Sequence, residues 1–121
     1  MTAMRVPTIS LAARLRWFGG PIIWAAHFLL VYASESLVCT RGGGADSHFL
    51  FVAAATAGAV AALLAIIVGG LRASRAARTA QGRDGGAFMD AAAVTLGLLS
   101  LVAVLWAALP ATLVSACAPP V

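Results

Sequence analysis

Long apolar runs alternate with short polar segments along the chain. The runs cover residues 18–38, 49–71 and 91–110, and about 20 apolar residues are needed for a helix to cross about 30 Å of hydrocarbon. The segments between them are rich in Gly, Arg and Asp, which is typical of loops in water. We therefore predict an all-α membrane protein with three transmembrane helices. The predicted segments are an interfacial N-terminal segment at 1–17, helices at 18–39, 49–71 and 90–113, loops at 40–48 and 72–89, and a tail at 114–121.

The composition excludes an ordinary soluble domain. Of the 121 residues 62% are hydrophobic and 10% are charged, whereas about 25% of a soluble domain is charged. The net charge of +4 comes from eight basic residues, all of them Arg. Because these residues flank apolar runs and do not line one face of a module, nucleic acid is not an expected partner.

The arginines predict how the chain is oriented in the membrane. Seven of them lie before the first run or between the second and third, and Arg41 alone lies on the other side. Positive residues favour the cytoplasmic side, so we predict a cytoplasmic N-terminus and a periplasmic C-terminus in a bacterial inner membrane. The residues expected to anchor this side to lipid headgroups are Arg14, Arg16, Arg72, Arg75 and Arg78.

An alternative interpretation of the N-terminus is a cleaved signal peptide. Small residues near Val31-Tyr32-Ala33 resemble a cleavage site. Three spans are nevertheless favoured, because 17 residues precede the first apolar run, and this run continues to Val38.

Breaker and capping residues predict where the helices start and stop. Pro21 suits the first turn of the first helix, after a Gly19-Gly20 turn, and Asp46 or Ser47 can cap the second helix. Asp90 can cap the third helix, and Pro110 should kink or end it.

Small residues on the second helix predict a close helix contact. Ala54, Gly58 and Ala62 recur every four residues, a spacing that lets helix backbones approach closely in membranes. We expect them to form the internal seam of the bundle rather than an interface between copies.

Polar chemistry concentrates on the first helix, at Trp24, His27, Tyr32 and Glu35. His27 is expected near the middle of the bilayer, where an ionisable group is most costly. It can make a structural hydrogen bond across helices, contact a polar site of a larger complex, or ligate haem or a metal. A lone histidine cannot complete a His-pair haem site, so no cofactor is expected. Glu35 is either an interfacial acid near Arg41 or part of a proton or cation path.

The two cysteines are predicted to form a disulfide. With three spans, the first and third helices run parallel, so Cys39 and Cys117 both emerge on the periplasmic side, where disulfides form. Two cysteines at this spacing make no zinc motif. The chain also lacks a nucleophile with its base and a phosphate-binding loop, so we expect no enzymatic activity.

Residues 20–32, Gly-Pro-Ile-Ile-Trp-Ala-Ala-His-Phe-Leu-Leu-Val-Tyr, continue to Cys39, and Cys117 follows near the C-terminus. This pattern resembles a family of small three-span proteobacterial membrane proteins found beside genes for haem-copper (cytochrome c) oxidases. The resemblance implies an accessory subunit or assembly factor of a terminal oxidase, with oxidase subunits and membrane lipid as partners. We place the contact on the face of Trp24 and His27. The alternatives are a small proton-coupled transporter that uses Glu35 as an oligomer, and a structural membrane protein without a defined partner.

Overall fold

The computed structural model describes residues 11–79, 86–115 and 117, and these residues form a bundle of three α-helices. The helices are α1 (Leu11–Arg41), α2 (Ala45–Thr79) and α3 (Gly86–Leu113). Each contains a stretch long and apolar enough to cross a membrane, with mean hydropathy of 1.6, 2.5 and 2.3 respectively. The prediction of three helices long and apolar enough to cross a membrane is confirmed.

All three helices extend beyond the predicted boundaries. They contain 31, 35 and 28 residues, or about 40 to 50 Å at 1.5 Å per residue, which exceeds the thickness of the hydrocarbon. α1 begins at Leu11, so residues 11–17 form no separate interfacial helix. α2 continues to Thr79, so the arginines at 72, 75 and 78 lie on this helix. The prediction that the loop begins at residue 72 is therefore wrong.

Two predicted helix starts are also wrong. Pro21 lies inside α1, ten residues after its start, and Gly19 and Gly20 are helical. Asp90 lies inside α3, which begins at Gly86. α3 continues through Pro110 and ends at Leu113, as predicted for the third helix. Because hydrophobic periodicity marks only the apolar part of a helix, it locates the membrane crossing better than the helix end.

The turn between α1 and α2 consists of three glycines. Gly42 has a positive φ of 69°, and the Gly43 N–H donates to the Val38 carbonyl over 3.2 Å. This is the Schellman arrangement, in which glycine takes the left-handed position just after a helix. Since α2 starts at Ala45, the predicted capping residues Asp46 and Ser47 lie within its first turn. The Ser47 hydroxyl donates to the Gly44 carbonyl at 2.8 Å.

The helices alternate in direction, so α1 and α3 run parallel and α2 runs against them. Gly20 of α1 lies beside Gly97 of α3 near one end, and Cys39 is bonded to Cys117 at the other. We call the end with Cys39 and Cys117 the disulfide end, and the end with Arg14, Arg16, Arg72 and Arg75 the arginine end.

Close contacts at glycine hold the half of the bundle nearer the arginine end. A Cβ built on Gly20 would lie 3.2 Å from the Leu96 carbonyl oxygen, and a Cβ on Gly97 would lie 2.9 Å from Ile67 Cγ1. A Cβ on Gly70 would lie 2.8 Å from Val94 Cγ2. These glycines let the three backbones approach closely, which is how helices gain contact in lipid.

The predicted seam on α2 is wrong, because its small residues face outward. Ala54, Gly58 and Ala62 are exposed, and a Cβ on Gly58 would meet no atom within 4 Å. The inward face of α2 instead carries Val52, Leu63 and Ile67. Small size permits close packing on any face, so the pattern alone does not say which face is inside.

Candidate functional site

His27 is buried in the bundle and bonds across to α2. His27 is only 2% exposed, and its Nε2 shares a hydrogen bond of 3.0 Å with Thr56 Oγ1. A polar group in hydrocarbon is costly without such a partner. The inter-helix hydrogen bond that was one of three interpretations of His27 is therefore present. Buried His27 is therefore not available to another protein in this bundle, although Trp24 of the predicted docking face is 40% exposed.

A second buried histidine was not among the predicted site residues. His48 was assigned to a loop, but it lies in the first turn of α2 and is 4% exposed. Its Nε2 lies 3.3 Å from Ser34 Oγ, and the Ser34 hydroxyl donates to the Val31 carbonyl at 2.7 Å. Because serine has one O–H to donate, Ser34 accepts from the His48 Nε2–H. Two polar contacts thus join α1 to α2, and the 3-4 spacing of His27, Val31 and Ser34 was the signal for this face.

A groove of about 530 Å³ lies between α1 and α3, nearer the disulfide end. It brings together three of the four polar or aromatic residues singled out on the first helix, namely Trp24, Tyr32 and Glu35, and it leaves out His27. Its α1 wall consists of Trp24, Phe28, Val31, Tyr32 and Glu35, and its α3 wall of Leu99, Val102, Ala103, Trp106, Ala107 and Pro110. The groove is therefore mostly apolar and rich in aromatic rings.

Three aromatic rings form a ladder along the α1 wall. The centroids of Trp24 and Phe28 are 6.3 Å apart with planes tilted by 32°. Those of Phe28 and Tyr32 are also 6.3 Å apart, and their planes are within 15° of parallel. A four-residue spacing places side chains one above the other on a helix, which explains the ladder. Trp106 stands on the opposite wall and is 75% exposed.

Glu35 is the only charged residue among the described residues that line the groove. It is partly exposed, and within residues 11–79, 86–115 and 117 it makes no ion pair. Glu35 therefore makes no ion pair with Arg41, the residue near which one of its two interpretations placed it. Glu35 lies six residues before the end of α1 at Arg41, or about 9 Å along the helix axis.

At the arginine end, Arg16 pairs with Asp90 of α3, with Arg16 Nη2 3.9 Å from Asp90 Oδ1. The Arg16 side chain is 29% exposed and that of Asp90 is 12% exposed. Arg16 is thus partly enclosed by the bundle, where an anchor in lipid headgroups was expected. Arg14, Arg72 and Arg75 are exposed, as such anchors require. Arg78 lies on α2, and its side chain is outside the described part of the chain.

The predicted disulfide is present. Cys39 at the end of α1 is bonded to Cys117 beyond α3, with Cα atoms 5.3 Å apart and a sequence separation of 78. The bond holds α1 to α3 at the end where the groove lies. It therefore limits how far the two groove walls can separate.

Among the described residues, no three His, Cys, Asp or Glu side chains lie close enough together to hold a metal ion. Comparison of the chain with protein-family models, with curated proteins and with solved structures finds no significant match. What the chain does must therefore be inferred from the fold, the groove and the outward faces of the bundle.

Proposed function

We propose that this chain is a non-catalytic accessory subunit or assembly factor of a respiratory membrane complex, with a haem-copper oxidase as the partner. Because positively charged residues favour the cytoplasmic side, the arginine end is cytoplasmic and the disulfide end periplasmic in the bacterial inner membrane. The resemblance of residues 20–32 to proteins found beside oxidase genes supports the choice of complex. Membrane lipid covers the remaining outward surface.

The observation that carries this proposal is the outward face of α2. Ala54, Gly58 and Ala62 are all exposed, whereas Leu63 on the inward face of α2 is fully buried. Close approach between membrane helices depends on small residues of this kind, because lipid tails are as apolar as the helices and supply no hydrophobic drive. The face thus offers a transmembrane helix of another subunit close backbone contact. We place docking here, and no longer on the face of Trp24 and His27.

Purification of the tagged chain from its own membranes in mild detergent tests this docking. Oxidase subunits should co-purify, together with the absorption of haem. Gly58→Ile and Ala62→Ile should each lower the recovered haem at least tenfold, because a branched side chain holds the backbones apart. The matched control is Ala26→Ile, the same kind of enlargement at an exposed position of α1, which should leave recovery unchanged.

Two results would contradict the docking proposal. In the first, the wild-type chain purifies without oxidase subunits and without haem absorption. In the second, Gly58→Ile and Ala62→Ile recover as much haem as Ala26→Ile, which would show that the α2 face makes no contact.

A second candidate function, a small proton-coupled transporter acting as an oligomer, is favoured by Glu35. Its carboxylate makes no ion pair with any described residue and lines a groove that is otherwise mostly apolar. Such a group can exchange a proton for a cationic substrate. Vesicles with an imposed proton gradient test it: wild-type chain should move a lipophilic cation, and Glu35→Gln should not. Equal flux for both proteins would refute the transporter.

A further inference from the structure

We propose that the groove between α1 and α3 binds an amphiphilic organic cation, with the positive group at Glu35 and the apolar body along the aromatic ladder. This site is separate from the α2 face proposed for docking. It adds a ligand class to the second candidate function. Only transport of the ligand rests on that function, since binding requires no flux.

Charge selects a cation. Glu35 makes no ion pair within the described part of the chain, and Arg41, six residues later, does not reach it. A carboxylate at the edge of an apolar groove attracts a positive charge more strongly than one in bulk water, because the surroundings screen it less. An anionic occupant would be repelled, and a neutral one would leave the carboxylate without a counter-charge.

The aromatic rings select the same charge. The face of an aromatic ring attracts a cation, and tryptophan does so best. Trp24, Phe28 and Tyr32 are 40%, 48% and 67% exposed on one wall, and Trp106 is 75% exposed on the other. A cation that enters the groove therefore meets rings from two helices as well as the carboxylate.

The dimensions of the groove fit a compact molecule. The groove holds about 530 Å³, within the range of about 300–1,000 Å³ found for small-molecule sites. From Glu35 to Trp24 it spans 11 residues of α1, or about 16 Å, which is half the hydrocarbon thickness. The groove therefore suits a molecule with its charged group near the disulfide end and its apolar part deeper in the membrane.

Equilibrium dialysis with tetraphenylphosphonium, in uncharged dodecyl maltoside micelles, tests the site on the full chain. Empty micelles correct for partitioning of the probe. The wild-type chain should bind about one probe molecule per groove. Glu35→Gln should weaken binding at least tenfold, whereas Glu35→Asp should keep most of the affinity. Asp46→Asn removes an acid from the same end of the bundle outside the groove, so this control should bind like wild type. Triphenylphosphine oxide, a neutral relative of the probe, should bind Glu35→Gln and wild type equally.

A second variant keeps the test decisive if Glu35→Gln unfolds, which circular dichroism would reveal. Trp106→Leu alters an outward side chain that the bundle does not need, and it should weaken binding of the probe about three- to tenfold. Failure of wild type to bind the probe would overturn the proposal. So would unchanged affinity in Glu35→Gln or, where that variant unfolds, in Trp106→Leu.

The positive group can belong to a free cation or to the ammonium headgroup of a lipid. Displacement of the probe by short-chain phosphatidylethanolamine would identify the lipid as an occupant of the same site, and lack of displacement would assign the site to free cations. Binding of the probe without flux in the vesicle assay would refute the transporter and leave the site intact. Loss of oxidase docking in Gly58→Ile would not change binding of the probe.

Discussion

A methyl group added at Gly20 should separate α1 from α3. The new Cβ would lie 3.1 Å from Ser100 Oγ, 3.2 Å from the Leu96 carbonyl oxygen and 3.3 Å from Gly97 Cα. Two of these three atoms belong to the backbone of α3, so no rotation of a side chain removes the conflict. The helices must move apart by a few tenths of an ångström along this contact.

The expected loss of stability follows from two opposing effects. Overpacking costs about 1–3 kcal/mol, whereas alanine is favoured over glycine inside a helix by about 0.5–1 kcal/mol. Gly20→Ala should therefore lower the free energy of unfolding by about 0.5–2 kcal/mol, a factor of about 2 to 30 in the folding equilibrium. Gly20→Val should lower it further, since two more carbons must be accommodated against the same backbone.

Gly58→Ala is the matched control for this prediction. Gly58 is also a helical glycine, but a Cβ there would meet no atom within 4 Å. Its substitution should leave stability unchanged or raise it by up to about 1 kcal/mol. Titration with sodium dodecyl sulfate in dodecyl maltoside micelles, followed by circular dichroism, measures both variants. If Gly20→Ala unfolds at the same detergent fraction as Gly58→Ala and wild type, the predicted separation of α1 from α3 is wrong.

Three further predictions concern the hydrogen bond between His27 and Thr56, the disulfide and the orientation in the membrane. Thr56→Val, His27→Phe and the double variant should reveal a coupling of about 0.6 kcal/mol, typical of polar pairs between membrane helices, in the same titration; additive losses would show that the contact at 3.0 Å contributes nothing. Replacing Cys39 and Cys117 by Ser should lower stability by up to about 4 kcal/mol in the chain-entropy model, and a thiol reagent should label neither residue of the wild type before reduction; two reactive thiols would contradict the bond. Alkaline phosphatase should be inactive when fused after residue 80 and active after residue 115, and the opposite pattern would reverse the proposed orientation.

Part of the site could not be predicted from the sequence. The spacing of Trp24, His27 and Glu35 places them on one face of a regular helix. The structure divides these residues, because His27 turns to α2 while Trp24 and Glu35 line the groove with α3. Trp106 was not identified as a site residue, since an outward tryptophan on an apolar helix carries no distinguishing pattern. His48 was missed for a different reason: the glycine-rich turn is three residues long, so α2 begins earlier than its hydrophobic run.

The sequence by itself determined that the chain forms three helices long and apolar enough to cross a membrane, and that its cysteines meet at one end. Both conclusions rest on local quantities, because each helix satisfies its own backbone hydrogen bonds in lipid and the number of crossings decides where a residue emerges. Only the tertiary structure decided which face of each helix lies inside, and the outward Gly58 and the inward Gly70 of α2 illustrate it. In water, burial of apolar surface would distinguish those faces. In lipid both surroundings are apolar, so the choice falls to shape and to a few hydrogen bonds that appear only when the helices are packed.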